Sequence, residues 1–503
     1  MIYLFLFLVL YFFLLSYLSI QFVGTGSDHY FHKFYIEIVK KNGHKFFSRF
    51  ENFIDETYTT DPLLSYKLFS YLPSNKVLVL AKYLNPILMT LLLVLFTTFV
   101  FYLNFLSEID FCLLVILIGC NPQYFYAQNA RLYGLSSRGL GLLLGTGILI
   151  SLYFTTYIDI KFIILTIFLI YLAWITNLFL QQFLIVISLL MMIVFGEYLL
   201  FVSLVLSLVI FFIFKNDIAL SFFKNRWYYF KIYKNILSER FILKYRYSIW
   251  RDWIYDFWIK KKYSSFPNWL SYVYNNSIFI VLFINPVIIV ILIENFPKLV
   301  EFHTPNPFIK YCYYLSVSSI LAFIIISFRS TRFLGEPERY IEMVIPFFTV
   351  LIFYNKNDFL VKYLPIIFIL MCVFQILIFL KMKNELYPSE NMDTIMKIVD
   401  VIKLKGGGKE IRVTSNNMDV LKKVLNTDWK FLYYYPTNEH FGGIDFKEIF
   451  IKYPLINEKY LSNLIKDNRI NFLILASPNE IELSFSNELV IYDDSFYKVI
   501  YLG

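Results

Sequence analysis

Cysteine is scarce in this chain of 503 residues: there are four, Cys112, Cys120, Cys312 and Cys372, each inside or at the end of an apolar run. No CxxC pair and no Cys/His cluster occurs, which leaves no basis for a disulfide framework or a zinc site. Charge is thin too, at 17% of residues, below the usual share of a soluble domain. No Walker or GxGxxG pattern is present. Gly406-Gly407-Gly408 precedes a strand-like segment instead of following one, so it reads as a linker and not a phosphate loop. The first apolar run lacks a basic flank before it and a small-x-small site after it, so it is expected to stay as an anchor. No internal repeat is evident.

What the chain has instead is apolar length. Hydrophobic residues make up 58% of it and the mean hydropathy is +0.60. Runs fall near Ile2–Ile20, Val77–Leu103, Phe111–Tyr126, Leu135–Tyr157, Phe162–Thr176, Leu178–Phe195, Tyr198–Phe214, Val273–Ile293, Tyr311–Phe328, Met343–Tyr354 and Tyr363–Leu380. Their lengths predict a polytopic α-helical membrane protein with about 11 TM helices. Residues 1–382 form the expected membrane domain, with a first polar loop at 21–76 and an amphipathic basic loop at 215–270. Residues 383–503 are polar and alternate short strand-like and helical runs. Strands are expected at Glu410–Thr414, Phe431–Tyr435, Asn471–Ala476 and Leu489–Tyr492, with helices at Met418–Leu425 and Glu458–Asp467, which makes a small C-terminal α/β domain.

Four constellations could carry chemistry. Asp28 follows the first span directly, in Gly24-Thr-Gly-Ser-Asp-His-Tyr-Phe-His32, so a carboxylate with His29 and His32 beside it stands at the membrane rim. Such an acid can take a proton from an acceptor hydroxyl. Further along this loop Asp55, Glu56 and Asp61 are acids that could assist it, or solvated charges offset by neighbouring lysines. The second constellation is Asn121–Tyr133 with Ser137-Arg138-Gly139. Arg131 could bind a phosphate bidentately or snorkel to lipid headgroups, whereas Arg138 lies deeper in the apolar pattern and should meet a polar cavity or a partner.

The third is Arg329–Glu342, three arginines and three acids between two spans, read either as a hairpin closed by its own ion pairs or as a polar insertion that meets substrate. The fourth is the 215–270 loop, which holds five of the seven tryptophans. Trp250, Trp253, Ile254, Phe257 and Trp258 recur at helical spacing, with Lys260, Lys261 and Lys262 just beyond. That pattern suits an interfacial helix over membrane lipids and argues against nucleic acid as a partner.

In their order these features resemble the GT-C superfamily of polyprenyl-phosphate-sugar-dependent glycosyltransferases, which includes the protein O-mannosyltransferases and the lipid A aminoarabinose transferases. The resemblance rests on Asp28 after the first span, Pro62-Leu-Leu opening the second, Pro122…Arg131-Leu-Tyr133 after the third, and the late Glu338-Arg339-Tyr340; it covers roughly Met1–Leu380. It implies an inside N-terminus, which makes the 21–76 loop external, with the active site and the C-terminal domain extracytoplasmic. It also implies an inverting transfer from a polyprenyl-phosphate-sugar donor to a lipid, glycan or protein acceptor.

By that likeness Asp28 is the catalytic base, and Arg131, Arg138 and Arg339 are the donor-phosphate candidates. His29, His32, Tyr133 and Tyr340 support them, and Asp55, Glu56, Asp61 or Glu336 is a second acid. Two departures stand out: His29 follows Asp28 where many relatives carry a second acid, and Asn121–Tyr133 holds none of the acids of the metal-dependent type. No cofactor is therefore expected, and a divalent metal, which the family allows, has no support in these residues. The rival expectation is a transporter or flippase for a lipid-linked saccharide, which would place ionisable groups near the bilayer midplane.

Overall fold

The computed structural model describes residues 2–22, 27–45, 49–54, 57–58, 64–125, 134–215, 219–220, 223–224, 226–227, 230–231, 277–281, 285, 304–328, 330–331, 334–354, 358–386, 392–433, 440–441, 443–450, 455–476, 489–494 and 496–503. They fall into two compact units. One comprises 1–23, 78–214 and 244–385, the other 24–77, 215–243 and 386–503.

The first unit is a bundle of apolar helices. Among the described residues five are long and apolar enough to cross a bilayer: Tyr3–Gln21, Ser74–Leu103, Arg138–Tyr157, Leu178–Phe195 and Pro307–Ile326. Shorter apolar helices occupy Ile160–Trp174, Leu199–Phe214 and Tyr363–Ile378. The run at 273–293 lies largely outside the described residues. Their ends follow capping chemistry. Asn177 accepts the Leu180 amide at 3.0 Å to open Leu178–Phe195, and Gly196, at φ +71°, closes it. Ser107, followed by Glu108 and Asp110, opens Glu108–Gly119, and Asn306 with Pro307 opens Pro307–Ile326.

Between these helices the glue is polar as well as apolar. Thr166 bonds Ser151 at 2.8 Å and Thr155 at 3.0 Å, and the Trp174 indole donates to Ser207 at 3.1 Å. Short hydroxyl side chains of this kind join helices where lipid offers no hydrophobic drive for association. Phe96, Phe99, Tyr153, Phe308, Tyr311 and Phe347 form the aromatic core of the unit, with ring centroids 5.0–6.0 Å apart.

The second unit joins the first loop to the tail, so the packing groups residues 24–77 with the polar C-terminal part and not with the apolar helices. Its sheet runs in the order Lys430–Phe431, Arg412–Ser415, Phe472–Ala476, Tyr497–Tyr501, Leu489–Asp493. The first three strands are parallel and the last two pairings antiparallel. The loop contributes helices Ser27–Lys41 and Leu64–Ser70. Gly407 and Gly408, at φ +51° and +82°, turn the chain from helix Met392–Gly406 into the sheet, the linker role expected of the glycine run.

Candidate functional site

Buried charge in the apolar unit is concentrated around Glu338–Glu342, a five-residue helix entered through Gly335-Glu336-Pro337. Glu336, Glu338 and Glu342 are all buried. Arg138, the first residue of its helix, donates from Nη2 to Glu342 Oε2 at 2.6 Å. Glu342 Oε1 is buried and has no partner among the described residues. Arg339 pairs with Glu336 one turn before it and lies over the Phe179 ring, 5.3 Å from its centroid. Glu338 is held at both ends: Ser277 Oγ donates to its Oε2 at 2.7 Å and Gln123 Nε2 to its backbone carbonyl at 2.9 Å. Gln123 in turn accepts from Asn285 at 3.0 Å. Tyr340 stacks edge-on against Phe179 and donates to the Leu334 carbonyl at 3.2 Å.

This arrangement is built by local sequence. Asn85, fully buried, donates to the Gly134 carbonyl at 2.9 Å and accepts the Gly139 amide at 3.1 Å, which fixes the entry to the Arg138 helix. Asn177 adds two bonds to Ser137, each 3.1 Å. The close approach needs glycine, because a Cβ on Gly139 would lie 2.2 Å from Asn85 Oδ1. Gly139→Ala is thus expected to push the Asn85 amide off both partners and destabilise the unit by roughly 1–3 kcal/mol. Gly147→Ala, whose Cβ would meet only ordinary contacts at 3.9 Å and beyond, serves as the control. Thermal unfolding in detergent compares the two, and equal melting temperatures would refute this role for Asn85.

The arrangement answers part of what the sequence posed. Arg138, expected to meet a partner or a polar cavity, meets Glu342. The Arg329–Glu342 link closes partly on itself, through Arg339 and Glu336, and partly on the Arg138 helix. Glu338 and Glu342 had no assigned role in the sequence reading, nor did Gln123, Asn285 or Asn85; only the crowding of charge around Glu338-Arg339-Tyr340 pointed near them.

Asp28, His29 and His32 belong to the other unit. Asp28 is the second residue of helix Ser27–Lys41, so the acid stands in the first turn of a helix and not in an open loop. Negative charge is favoured at such an end. Its side chain lies outside the described residues, as do Arg131, Tyr133, Asp55, Glu56, Asp61 and the Trp250–Trp258 stripe. His32 Nδ1 bonds the Tyr66 hydroxyl at 2.6 Å, with Tyr35 stacked on the other ring at 4.7 Å.

His29 is buried, and its Nδ1 has no hydrogen-bond partner among the described residues. Burial pushes its pKa down from 6.5 to about 4, with the His32 and Lys33 charges adding to the shift. The folded protein therefore binds this proton only near pH 4, whereas the unfolded chain binds it near 6.5. Between those values the unfolded state holds more protons, so stability falls as pH drops through the window, by about 3 kcal/mol in all. His29→Asn is expected to remove this slope between pH 6.5 and 4 in melting experiments; an unchanged slope would show that the His29 imidazole is not what titrates.

No protein-family model and no curated protein sequence matches this chain.

Proposed function

We propose that the chain is a GT-C-like integral membrane glycosyltransferase that moves a sugar from a polyprenyl-phosphate donor to an extracytoplasmic lipid, glycan or protein acceptor. The observation that supports it most is the cluster of buried Glu336, Glu338 and Glu342 with the half-buried Arg138 and Arg339 in a unit made of apolar helices. Charges in such surroundings are expensive and mark functional sites by default. Here the two guanidiniums are held in place by glutamates before any ligand arrives. An anionic donor head can exchange for those carboxylates at a planar cation suited to bidentate phosphate binding.

The reaction follows from the donor's chemistry. The acceptor oxygen attacks the anomeric carbon, the bond from that carbon to the phosphate oxygen breaks, and polyprenyl phosphate leaves with the electron pair. Inversion follows from attack opposite the leaving group. In this reading the acceptor's proton passes to Asp28.

A transporter or flippase for a lipid-linked saccharide is the second reading. One observation favours it: the acids at 336, 338 and 342 are buried within the helical unit and do not lie in a solvated loop. Reconstitution separates the two readings. The full chain is placed in vesicles with a defined polyprenyl-phosphate sugar and a soluble acceptor mixture. Free polyprenyl phosphate formed together with a new glycoside supports transfer. Intact donor that merely changes leaflet supports transport and refutes the transferase.

A further inference from the structure

The first loop is bound to the tail through backbone, polar and aromatic contacts at one place. The Phe431 amide donates to the Asn52 carbonyl and the Ile54 amide to the Phe431 carbonyl, both at 2.8 Å, with Phe53 bridging Phe431 in parallel. Residues 52–54 thus occupy the outer edge of strand Lys430–Phe431 as an added rung of the sheet. Asn52 Nδ2 donates to the carbonyls of Thr427 at 2.7 Å and Trp429 at 3.1 Å. Lys41, the last residue of helix Ser27–Lys41, reaches Asp428 at 3.0 Å and the Thr427 carbonyl at 3.1 Å. Phe31 of the same helix stacks on Tyr433 at 5.8 Å, and Phe34 meets Phe53 at 5.9 Å and the edge of Phe431 at 6.4 Å.

These contacts do more than cover apolar surface. Stacking alone would let the helix slide over the tail. Strand addition fixes register, because a slip of one residue reverses which side chains face inward. The two Asn52 bonds fix it again, and Lys41 ties down the helix end opposite Asp28.

We infer that the C-terminal α/β domain is the seat that positions helix Ser27–Lys41, and with it Asp28, making Asn52, Phe53 and Asp428 positioning residues for the reaction. The inference rests on the transferase reading with Asp28 as the base. Its physical basis is that a displacement of about 1 Å at a reacting group can lower the rate by about 100-fold.

The test uses the full chain in vesicles with a polyprenyl-phosphate sugar as probe. Two quantities are read: hydrogen exchange of the 27–41 amides and the split between kcat and donor KM. Asn52→Ala is expected to speed exchange across 27–41 about tenfold or more, leaving helix Pro307–Ile326 unchanged. In the same variant kcat should fall by about tenfold or more at a donor KM within about twofold of the parent. Leu404→Ala, on an exposed tail residue, should change neither.

Should Asn52→Ala fail to fold, Asp428→Lys probes the same seat from the surface. It is expected to lower kcat by about twofold to fivefold, with partial recovery in the Lys41→Asp/Asp428→Lys double variant, which restores the charge pair but not the Lys41 bond to the Thr427 carbonyl. Unchanged exchange in Asn52→Ala overturns the inference, as does faster exchange at unchanged kcat. With Asp428→Lys standing in, an unchanged kcat overturns it, and so does a fall that the charge swap does not lessen. A parent protein that transfers no sugar overturns the proposed reaction itself, and the positioning role with it.

Discussion

Arg138→Ala is expected to destabilise the apolar unit by roughly 3–5 kcal/mol, the cost of stranding one member of a buried ion pair. Glu342 is 3% exposed and its Oε2 takes the Arg138 guanidinium at 2.6 Å, while its Oε1 has no other donor among the described residues. Removing the arginine leaves a carboxylate that must either take up a proton or draw water into the bundle. The double variant Arg138→Leu/Glu342→Leu should melt much closer to the parent, because a well-packed apolar pair can replace a buried ionic one at little cost. Melting temperatures of the parent, the single variant and the double variant in detergent check this. If Arg138→Ala melts with the parent, the pair is solvated and the buried geometry is wrong. On the transferase reading the double variant also separates structure from function: it should stay folded and yet bind the anionic donor more weakly, with Arg339 alone left to hold the phosphate.

Much of the helical unit was legible because apolar length and end signals are local properties. The run Leu178–Phe195 coincides with its helix, since Asn177 and Gly196 mark both ends in the chain itself. The run at 111–126 gave a shorter helix, Glu108–Gly119, because Ser107 caps it upstream and Asn121-Pro122 starts a separate 3-10 turn. In the tail, strand Phe472–Ala476 and helix Glu458–Asp467 match their sequence patterns. The inner strand Tyr497–Tyr501, paired on one side with Phe472–Ala476 and on the other with Leu489–Asp493, is not among the expected strands although its Tyr, Val and Ile favour one. It follows too closely on the strand before it, which the pattern did mark.

The site was less legible for the same physical reason. Arg138 and Glu342 lie 204 residues apart, and no local pattern assigns one to the other. Helix Ser27–Lys41 carries Phe31, Phe34, Tyr35, Ile38 and Val39 at helical spacing, all buried in the fold. Its lysines and acids made the whole stretch read as a solvated loop. The period was present, but the surface it packs on comes from the far end of the chain.

If the proposed transferase reading holds with Asp28 as the base, Asp28→Asn is expected to lower sugar transfer by about 100-fold to 10,000-fold, the range lost when a general base is removed. The amide keeps the shape of the carboxylate and cannot take the acceptor's proton. On that reading the loss should fall on kcat and not on donor KM, because the substitution removes the proton acceptor and no cation. Folding should be preserved, because helix Ser27–Lys41 is held at the tail by Phe31, Phe34 and Lys41, none of which the substitution touches. Glu336→Gln is the informative comparison, since Glu336 is already engaged with Arg339. If Glu336 only holds that guanidinium, its variant should weaken donor binding and spare kcat. Retained turnover in Asp28→Asn together with lost turnover in Glu336→Gln would transfer the role of base to Glu336, within the buried cluster.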